Sequence, residues 1–465
     1  MGLKEWKPML TYNDLLTKQT DQERIEFIQQ AIRERVSSVD YRTAEKAMAY
    51  YNGENPDIAA FEKYVYDLKG IAHRDYISAN SKIRNGYYPL IVDEAVSHLL
   101  ANGIGFEHEQ NKEKLGKGFD DTMKKIYREA LVCGVSYGFY DGEKTIHIPY
   151  LQFCPVLDDY SGRLRAGIYW TQIDDKKPLT VYFYEQDGFT IYVQEYGEEM
   201  KIVQEKQRYV VDYLENKAEG QYYIEDASSS YLPIYPLYNL TGKSNIIGSL
   251  EILIAIDLMA SQLVNNVSQA ELVYWVLKNY GGMDDIADAN FIVNLIKSHV
   301  IHVDDDGDAS PHQITVPFEA NDTAFARLKA MLFENLRGVN HEVMDAGNLT
   351  ATAINSAYSR LRNFSGLIES NVFDFLRGLL AIAGIDEEET FTVEYNETIN
   401  TTEAINNTIA SAPWLGDTAT TERLALLNGL GDKIDQIMQE KSAEDIMQFS
   451  SAQNNADGGS DGLEV

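Results

Sequence analysis

Four stretches of this 465-residue chain carry residue types that could do chemistry. Leu240-Thr241-Gly242-Lys243-Ser244 has the glycine, lysine and hydroxyl of a phosphate-cradling loop. That loop needs another glycine at 237, where the chain has Leu237, so the string reads as a loop ahead of a helix and no motor ATPase is expected. His341-Glu342-Val343-Met344-Asp345 falls one residue short of a zinc-binding pair of histidines, because Asp345 stands where the second would be. The acidic turn Asp304-Asp305-Asp306-Gly307-Asp308 invites calcium, but a binding loop starting there needs glycine at 309 and glutamate at 315, and the chain has Ala309 and Thr315. Cys133 and Cys154 form no CxxC and no Cys/His spacing, and two cysteines are too few for a disulfide framework, which points to a reducing compartment. The eight histidines are scattered and no GxSxG elbow occurs. No catalytic residue, metal site or cofactor is therefore assigned, and no cluster of acids is singled out for hydrolysis.

Bulk properties bound the partners and the compartment. The formal charge is −32, from 40 basic and 72 acidic residues, which argues against tight binding to a phosphate backbone. The length suggests two to four domains. The N-terminus lacks the apolar core of a signal peptide, and the most apolar long stretch, 247–264, carries Glu251 and Asp257. The expectation is a soluble intracellular product with no membrane contact.

The elements that must position any site fall into three blocks. Residues 20–135 read as helical, with helices over about 20–36, 41–51, 57–68, 78–101 and 117–133, the first capped by Thr20-Asp21-Gln22-Glu23. From 137 to about 240 the runs are short, aromatic and β-branched. Asp141-Gly142, Ser161-Gly162 and Asp187-Gly188 mark hairpins, which predicts six to nine antiparallel strands. Helix returns at 248, where Ile252, Ile256, Met259, Leu263, Val267 and Ala270 keep three- and four-residue steps, and the pattern is taken through Lys278. A small mixed unit follows, with a short helix at about 287–297 and strands at 298–303 and 313–316. Further helices are expected at about 321–343, 351–383 with Gly366 permitting a kink, 401–411, 418–429 and 431–448, with a strand at 390–395. The tail from Ser450 is rich in Ser, Asn, Gly and Asp and reads as disordered.

Several strings, in this order, resemble portal proteins of tailed phages with Gram-positive hosts. They are Ala49-Tyr50-Tyr51-Asn52-Gly53-Glu54; Asn80-Ser81-Lys82-Ile83 followed by Leu90-Ile91-Val92-Asp93; Gly134-Val135-Ser136-Tyr137-Gly138; Phe153-Cys154-Pro155-Val156; Ser249-Leu250-Glu251 with Ile256-Asp257; Gly347-Asn348-Leu349-Thr350-Ala351-Thr352-Ala353-Ile354; and Pro413-Trp414-Leu415-Gly416-Asp417 with Thr418-Ala419-Thr420-Thr421-Glu422. The resemblance covers about 25–448. Ala351 departs from the usual glycine, Asn355 stands where a basic residue is common, and His98-Leu99-Leu100-Ala101-Asn102-Gly103 departs from the usual helix ending.

The resemblance implies an α+β portal fold. A wing would occupy 1–247, helical over 20–135 and β-rich over 136–247. Stem helices at 248–278 and 321–343 would flank a small α/β clip at 279–320. A tunnel loop, long kinked helix and returning wing strand would fill 344–400, with a helical crown at 401–449 and a disordered tail at 450–465. It implies a ring, about twelve subunits round, at one capsid vertex of the virion, assembled in the host cytoplasm, through which double-stranded DNA passes during packaging and ejection without being gripped. Partners would be the terminase large subunit, major capsid and scaffold proteins, and a head-completion adaptor. The tunnel loop, Asp345, Gly347, Asn348, Leu349, Thr350 and Thr352, would face DNA, and Asp304, Asp305, Asp306 and Asp308 of the clip would face the terminase or connector. The competing readings are another phage structural protein, such as a connector or baseplate subunit, and a metal-dependent nuclease.

Overall fold

The computed structural model describes residues 10–66, 70–76, 79–209, 212–216, 221–225, 232–270, 273–278, 308–313, 318–340, 351–385, 388–397 and 401–441. Helices are α1 (Tyr12–Leu16), α2 (Asp21–Ser37), α3 (Val39–Tyr51), α4 (Pro56–Ala60), α5 (Tyr87–Leu100), α6 (Glu109–Lys114), α7 (Phe119–Cys133), α8 (Leu250–Ala270), α9 (Phe318–Leu336), α10 (Ala351–Ile382), α11 (Thr401–Leu415) and α12 (Asp417–Leu427). Strands are β1 (Tyr64–Tyr66), β2 (Ala72–Arg74), β3 (Ile104–Phe106), β4 (Val135–Tyr140), β5 (Thr145–Ile148), β6 (Phe153–Leu157), β7 (Leu164–Thr171), β8 (Leu179–Glu185), β9 (Gly188–Gln194), β10 (Lys201–Gln207), β11 (Asp212–Asn216), β12 (Gln221–Glu225), β13 (Ile234–Tyr238), β14 (Val273–Lys278), β15 (Asp308–Gln313) and β16 (Phe391–Val393). The chain makes two compact units: residues 1–339 with 361–396, and 340–360 with 397–465.

In the first unit, α2 begins as the sequence predicts. The Thr20 hydroxyl accepts from the Glu23 N–H, and the Glu23 carboxylate accepts from the Thr20 N–H. Ile25, Phe27, Ile28 and Ala31 pack with Val156, Ala166, Ile168, Val181, Phe183 and Tyr192 of an antiparallel sheet ordered β10-β9-β8-β7-β6. Burying each such large apolar side chain contributes about 1.5–3 kcal/mol. The three pairs read as hairpin marks stand at turns between paired strands, joining β4 to β5, β6 to β7 and β8 to β9, with Gly188 opening β9. A second sheet runs β13-β4-β5, and β16 pairs with β3, Phe391 opposite Phe106.

Glycine fits at the step from α7 into β4 for a steric reason. Gly134 has φ of 98°, and a Cβ there would lie 2.7 Å from the Lys243 backbone. The Asn239 N–H donates to the Gly134 carbonyl at 3.0 Å, which ties β13 to the same corner.

Several boundaries differ from the sequence reading. The helix expected over 57–68 ends at Ala60, and Tyr64–Tyr66 pairs with Ala72–Arg74 as a strand. The helix expected from 78 begins at Tyr87, because the amides of Ser81, Ile83 and Asn85 are taken by side chains of α8. Among the described residues ten strands lie between Val135 and Tyr238, rather than six to nine. α8 ends at Ala270, and Val273–Lys278, read as its continuation, is a strand paired with β15. β15 covers Asp308–Gln313 and reaches the strand expected at 313–316 only at Gln313, since 314–316 lie outside the described residues. α9 ends at Leu336, where Arg337 takes a left-handed φ of 61° and the Gly338 N–H closes on the Phe333 carbonyl at 2.9 Å. The short helix expected at about 287–297, the strand expected at 298–303 and the tail from Ser450 lie outside the described residues.

By length and composition Leu250–Ser268 could cross a bilayer, with mean hydropathy of 1.4. Its Asp257, Ser261 and Asn265 are buried and hydrogen-bonded to the protein, which marks the helix as a packing element. In the second unit α11 and α12 pack together, and the Lys441 ammonium, in helical turns over 434–441, donates to the Thr421 hydroxyl at 2.8 Å.

Candidate functional site

The elements that would build a channel are α8, the β14-β15 pair, α9 and α10. α8 starts after Gly248, and its first turn hangs on Ser249, whose carbonyl accepts from the Leu253 N–H at 3.0 Å. Leu253 and Ile256 are fully buried, as is Leu332 of α9, and the two helices pack together. The Tyr87 ring meets Phe333 edge-on at 6.1 Å and lies under the Lys329 ammonium at 5.0 Å.

Between these helices β14 and β15 form a two-stranded ladder running from Val273 opposite Gln313 to Lys278 opposite Asp308. Asp308 thus stands across from a lysine at one end of the ladder. Asp304, Asp305 and Asp306, expected beside it, lie outside the described residues, as do Asp345, Gly347, Asn348, Leu349 and Thr350. Thr352 sits in the first turn of α10. The run Val273-Tyr274-Trp275-Val276 is β-branched and aromatic, a local signal that could have found β14 despite the helical period before it.

α10 is helical throughout 32 residues, Gly366 included. Its second half is fastened to the sheets and to α5. The Ser365 hydroxyl lies 2.8 Å from Nδ1 of buried His98, whose ring stacks on Tyr395 at 4.9 Å. The Tyr395 hydroxyl donates to Glu369 at 2.6 Å. The Asn371 amide donates to the Tyr238 carbonyl at 3.2 Å, and Phe373 packs on Phe391 at 5.4 Å.

The string at 240–244, the two cysteines and a His/Glu pair have their groups engaged, and His341-Glu342-Val343-Met344-Asp345 lies outside the described residues. Thr241-Gly242-Lys243-Ser244 borders a recess of about 300 Å³ with Asn335, Arg337 and Phe364. Its Thr241 N–H donates to Asn239 Oδ1 at 3.0 Å and its Lys243 N–H to Thr241 Oγ1 at 3.3 Å, so two amides that a phosphate cradle needs already have partners. Burial raises both thiols, Cys154 to about 12, which removes them as nucleophiles. His147 and Glu129 are 2.7 Å apart, but Glu129 also accepts from the Ser136 hydroxyl at 2.7 Å and the Tyr150 N–H at 3.0 Å. Among the described residues no group of three His, Cys, Asp or Glu is placed to hold a metal ion.

The family model for "Phage portal protein, SPP1 Gp6-like" matches residues 34–411. The chain belongs to this phage portal protein family. It is 22% identical over 394 residues to the portal protein of Clostridium phage phiCD119, covering 75% of this chain and 85% of that one. Similar solved structures include the neck of a native gene transfer agent particle, computed with C12 symmetry (TM-score 0.40, 11% identity, 73% of this chain and 87% of that one). The virion of the native gene transfer agent particle gives a TM-score of 0.41 at 12% identity, over 84% and 94%. As a portal subunit the chain is a structural component of a phage particle.

One contact in this portal subunit has a pH dependence. Glu389, beside β16, is buried, and burial alone raises its carboxyl. Hydrogen bonds from the His108 N–H, Asn111 and the His108 ring outweigh this and hold it below the ordinary range. A depressed carboxyl stabilises fully above its unfolded value, about 4.3, and that contribution is lost as pH falls through the folded value. Thermal unfolding from about pH 5 down to pH 3 should therefore fall more steeply in the native chain than in Glu389→Gln. Equal slopes would remove Glu389 from the acid response.

Proposed function

We propose that this portal subunit assembles into a ring, about twelve copies round as in the resemblance, whose bore conducts double-stranded DNA into and out of the capsid. In this reading α1 to β13 form the wing, α8 and α9 the two stem helices, 271–317 the clip, and 341–350 with α10 the tunnel loop and tunnel helix. Residues 401–449 form the crown. The clip, including Asp304, Asp305, Asp306 and Asp308, docks the terminase and later the head-completion adaptor. The ring sits at the portal vertex of the virion, and the subunit is in the host cytoplasm during assembly.

The observation that carries the ring is the apolar surface left on the channel-building helices. Val264 and Val267 of α8, Phe318 and Met331 of α9 and Leu367 of α10 are each 40–60% exposed. Neighbouring copies packed side by side would cover such helices along their length. The charge of −32 suits a wall that repels phosphate, and screening within about 8–10 Å keeps that repulsion local.

The test is mass under native conditions with images of the same sample. With a subunit of 52.5 kDa, a ring of about twelve has a mass of about 0.6 MDa. Asn348→Trp is expected to give rings of the same mass whose particles package little DNA. A closed dimer or tetramer would overturn the ring, and normal packaging by Asn348→Trp would overturn the tunnel-loop assignment.

A further inference from the structure

The irregular segment 79–86 is fastened to α8 in an unusual way. The Asn85 N–H donates to Asp257 Oδ1 at 2.6 Å, the Ile83 N–H to Ser261 Oγ at 2.9 Å and the Ser81 N–H to Asn265 Oδ1 at 2.8 Å. Alternate amides of the segment thus meet every fourth residue of the helix, running in the opposite direction. The spacing matches: two residues of extended chain span at most about 7 Å, and four residues of α-helix rise about 6 Å. The Asn85 side chain adds bonds to Asp257 Oδ1 at 2.7 Å and to the Leu253 carbonyl at 3.3 Å, and Asn55 donates to Asp257 Oδ2 at 2.7 Å. Asn80-Ser81-Lys82-Ile83 and Ile256-Asp257, two separate strings singled out in the sequence, are therefore the two sides of one fastening.

Its energetics differ from those of the core. Asp257, Ser261 and Asn265 are each no more than 3% exposed, yet the segment opposite brings little apolar cover: Lys82 and Arg84 are exposed and Ile83 is 37% exposed. The contact is made of polar groups that water can serve at a net cost of only about 1 kcal/mol per bond once they are uncovered, so opening exchanges bonds rather than exposing apolar surface. Burial also holds the Asp257 carboxyl above its ordinary range, and rehydration on opening would relieve that cost. At its other end the segment is held to the helical region, where the Lys63 ammonium donates to the Ala79 carbonyl and the Lys82 ammonium to the Ala59 carbonyl.

We infer that residues 79–86 are a releasable strap, a polar ladder that couples α8 to the helical region around α4 and lets go when α8 shifts during DNA passage. The shift of α8 rests on the channel reading above; the strap and its release do not.

The test uses trypsin, which can cut after Lys82 and Arg84 only when the strap lifts, together with the DNA content of particles. Ser261→Ala with Asn265→Ala removes two rungs and leaves good helix formers. Cleavage in the strap should rise about 30-fold, two hydrogen bonds' worth, when opening is fast relative to cutting. Ser261→Thr with Asn265→Asp keeps both acceptors and should stay near the native rate. Packaged DNA should fall in the alanine pair and recover in the conservative pair, with ring mass unchanged in both. If the alanine pair does not assemble, Ser261→Ala alone should show about a fivefold rise. Unchanged cleavage would overturn the strap. Faster cleavage with normal packaging would overturn its coupling role. Native chains that never form rings would overturn the channel reading instead, and the cleavage comparison would stand independently of it.

Discussion

Glu129→Ala is expected to lower the unfolding free energy by about 3–5 kcal/mol, the range for removing one member of a buried charged contact. Glu129 is 6% exposed and gathers three segments: Ser136 at the start of β4, His147 on β5 and the Tyr150 N–H in the turn before β6. Alanine leaves a backbone N–H, a hydroxyl and an imidazole nitrogen without their acceptor, and each orphaned buried group costs about 1–3 kcal/mol. Glu129→Gln should recover more than half of the loss. Its carbonyl can still accept from the Tyr150 N–H, and its amide can donate to Ser136 or to His147 in the tautomer with a free Nε2. The check is the denaturant midpoint of the three chains. A loss below about 1 kcal/mol for alanine would mean that water takes the carboxylate's place.

The second large effect is steric. A Cβ on Gly378 of α10 would lie 2.4 Å from the Tyr235 ring of β13, and one on Gly138 of β4 would lie 2.7 Å from Phe375, one turn earlier on α10. Helix and sheet are interlocked through two missing side chains. A β-branched residue at 378 cannot enter without pushing α10 off the sheet, and overpacking of this kind costs about 1–3 kcal/mol or more. Gly378→Val should therefore destabilise by about 3 kcal/mol. Adding Tyr235→Ala should cost less in Gly378→Val than in the native chain, a coupling of about 1–3 kcal/mol in a double-mutant cycle. Gly366, on the same helix, is the control. Its Cβ would meet only the Tyr395 hydroxyl, at 3.6 Å, so Gly366→Ala should gain up to about 1 kcal/mol of helix propensity. Additive effects at 235 and 378 would show that the ring swings aside.

Much of the frame follows from local signals. Thr20 with Glu23 set the start of α2, Asp-Gly and Ser-Gly pairs set the hairpins of the large sheet, three- and four-residue apolar steps set the start of α8 though not its end, and α10 lies within a residue of its expected bounds. The order of short strings, with the charge and the lack of any reactive constellation, was enough to point to the portal family that the family match then showed. These features are readable because each is decided by neighbours within about one turn of helix or one hairpin.

What the sequence alone did not decide depended on partners far along the chain. Residues 79–86 read as helix, yet their amides bond to side chains 172–184 positions away, and those bonds replace the ones a helix would have made. Val273–Lys278 continues an apolar run, yet it is a strand because Asp308–Gln313 lies beside it. Gly138 and Gly378 look like weak points in a strand and a helix until Phe375 and Tyr235 occupy the space their side chains would fill. Periodicity reports which residues prefer to be covered; only the tertiary structure determines what covers them, and at what distance.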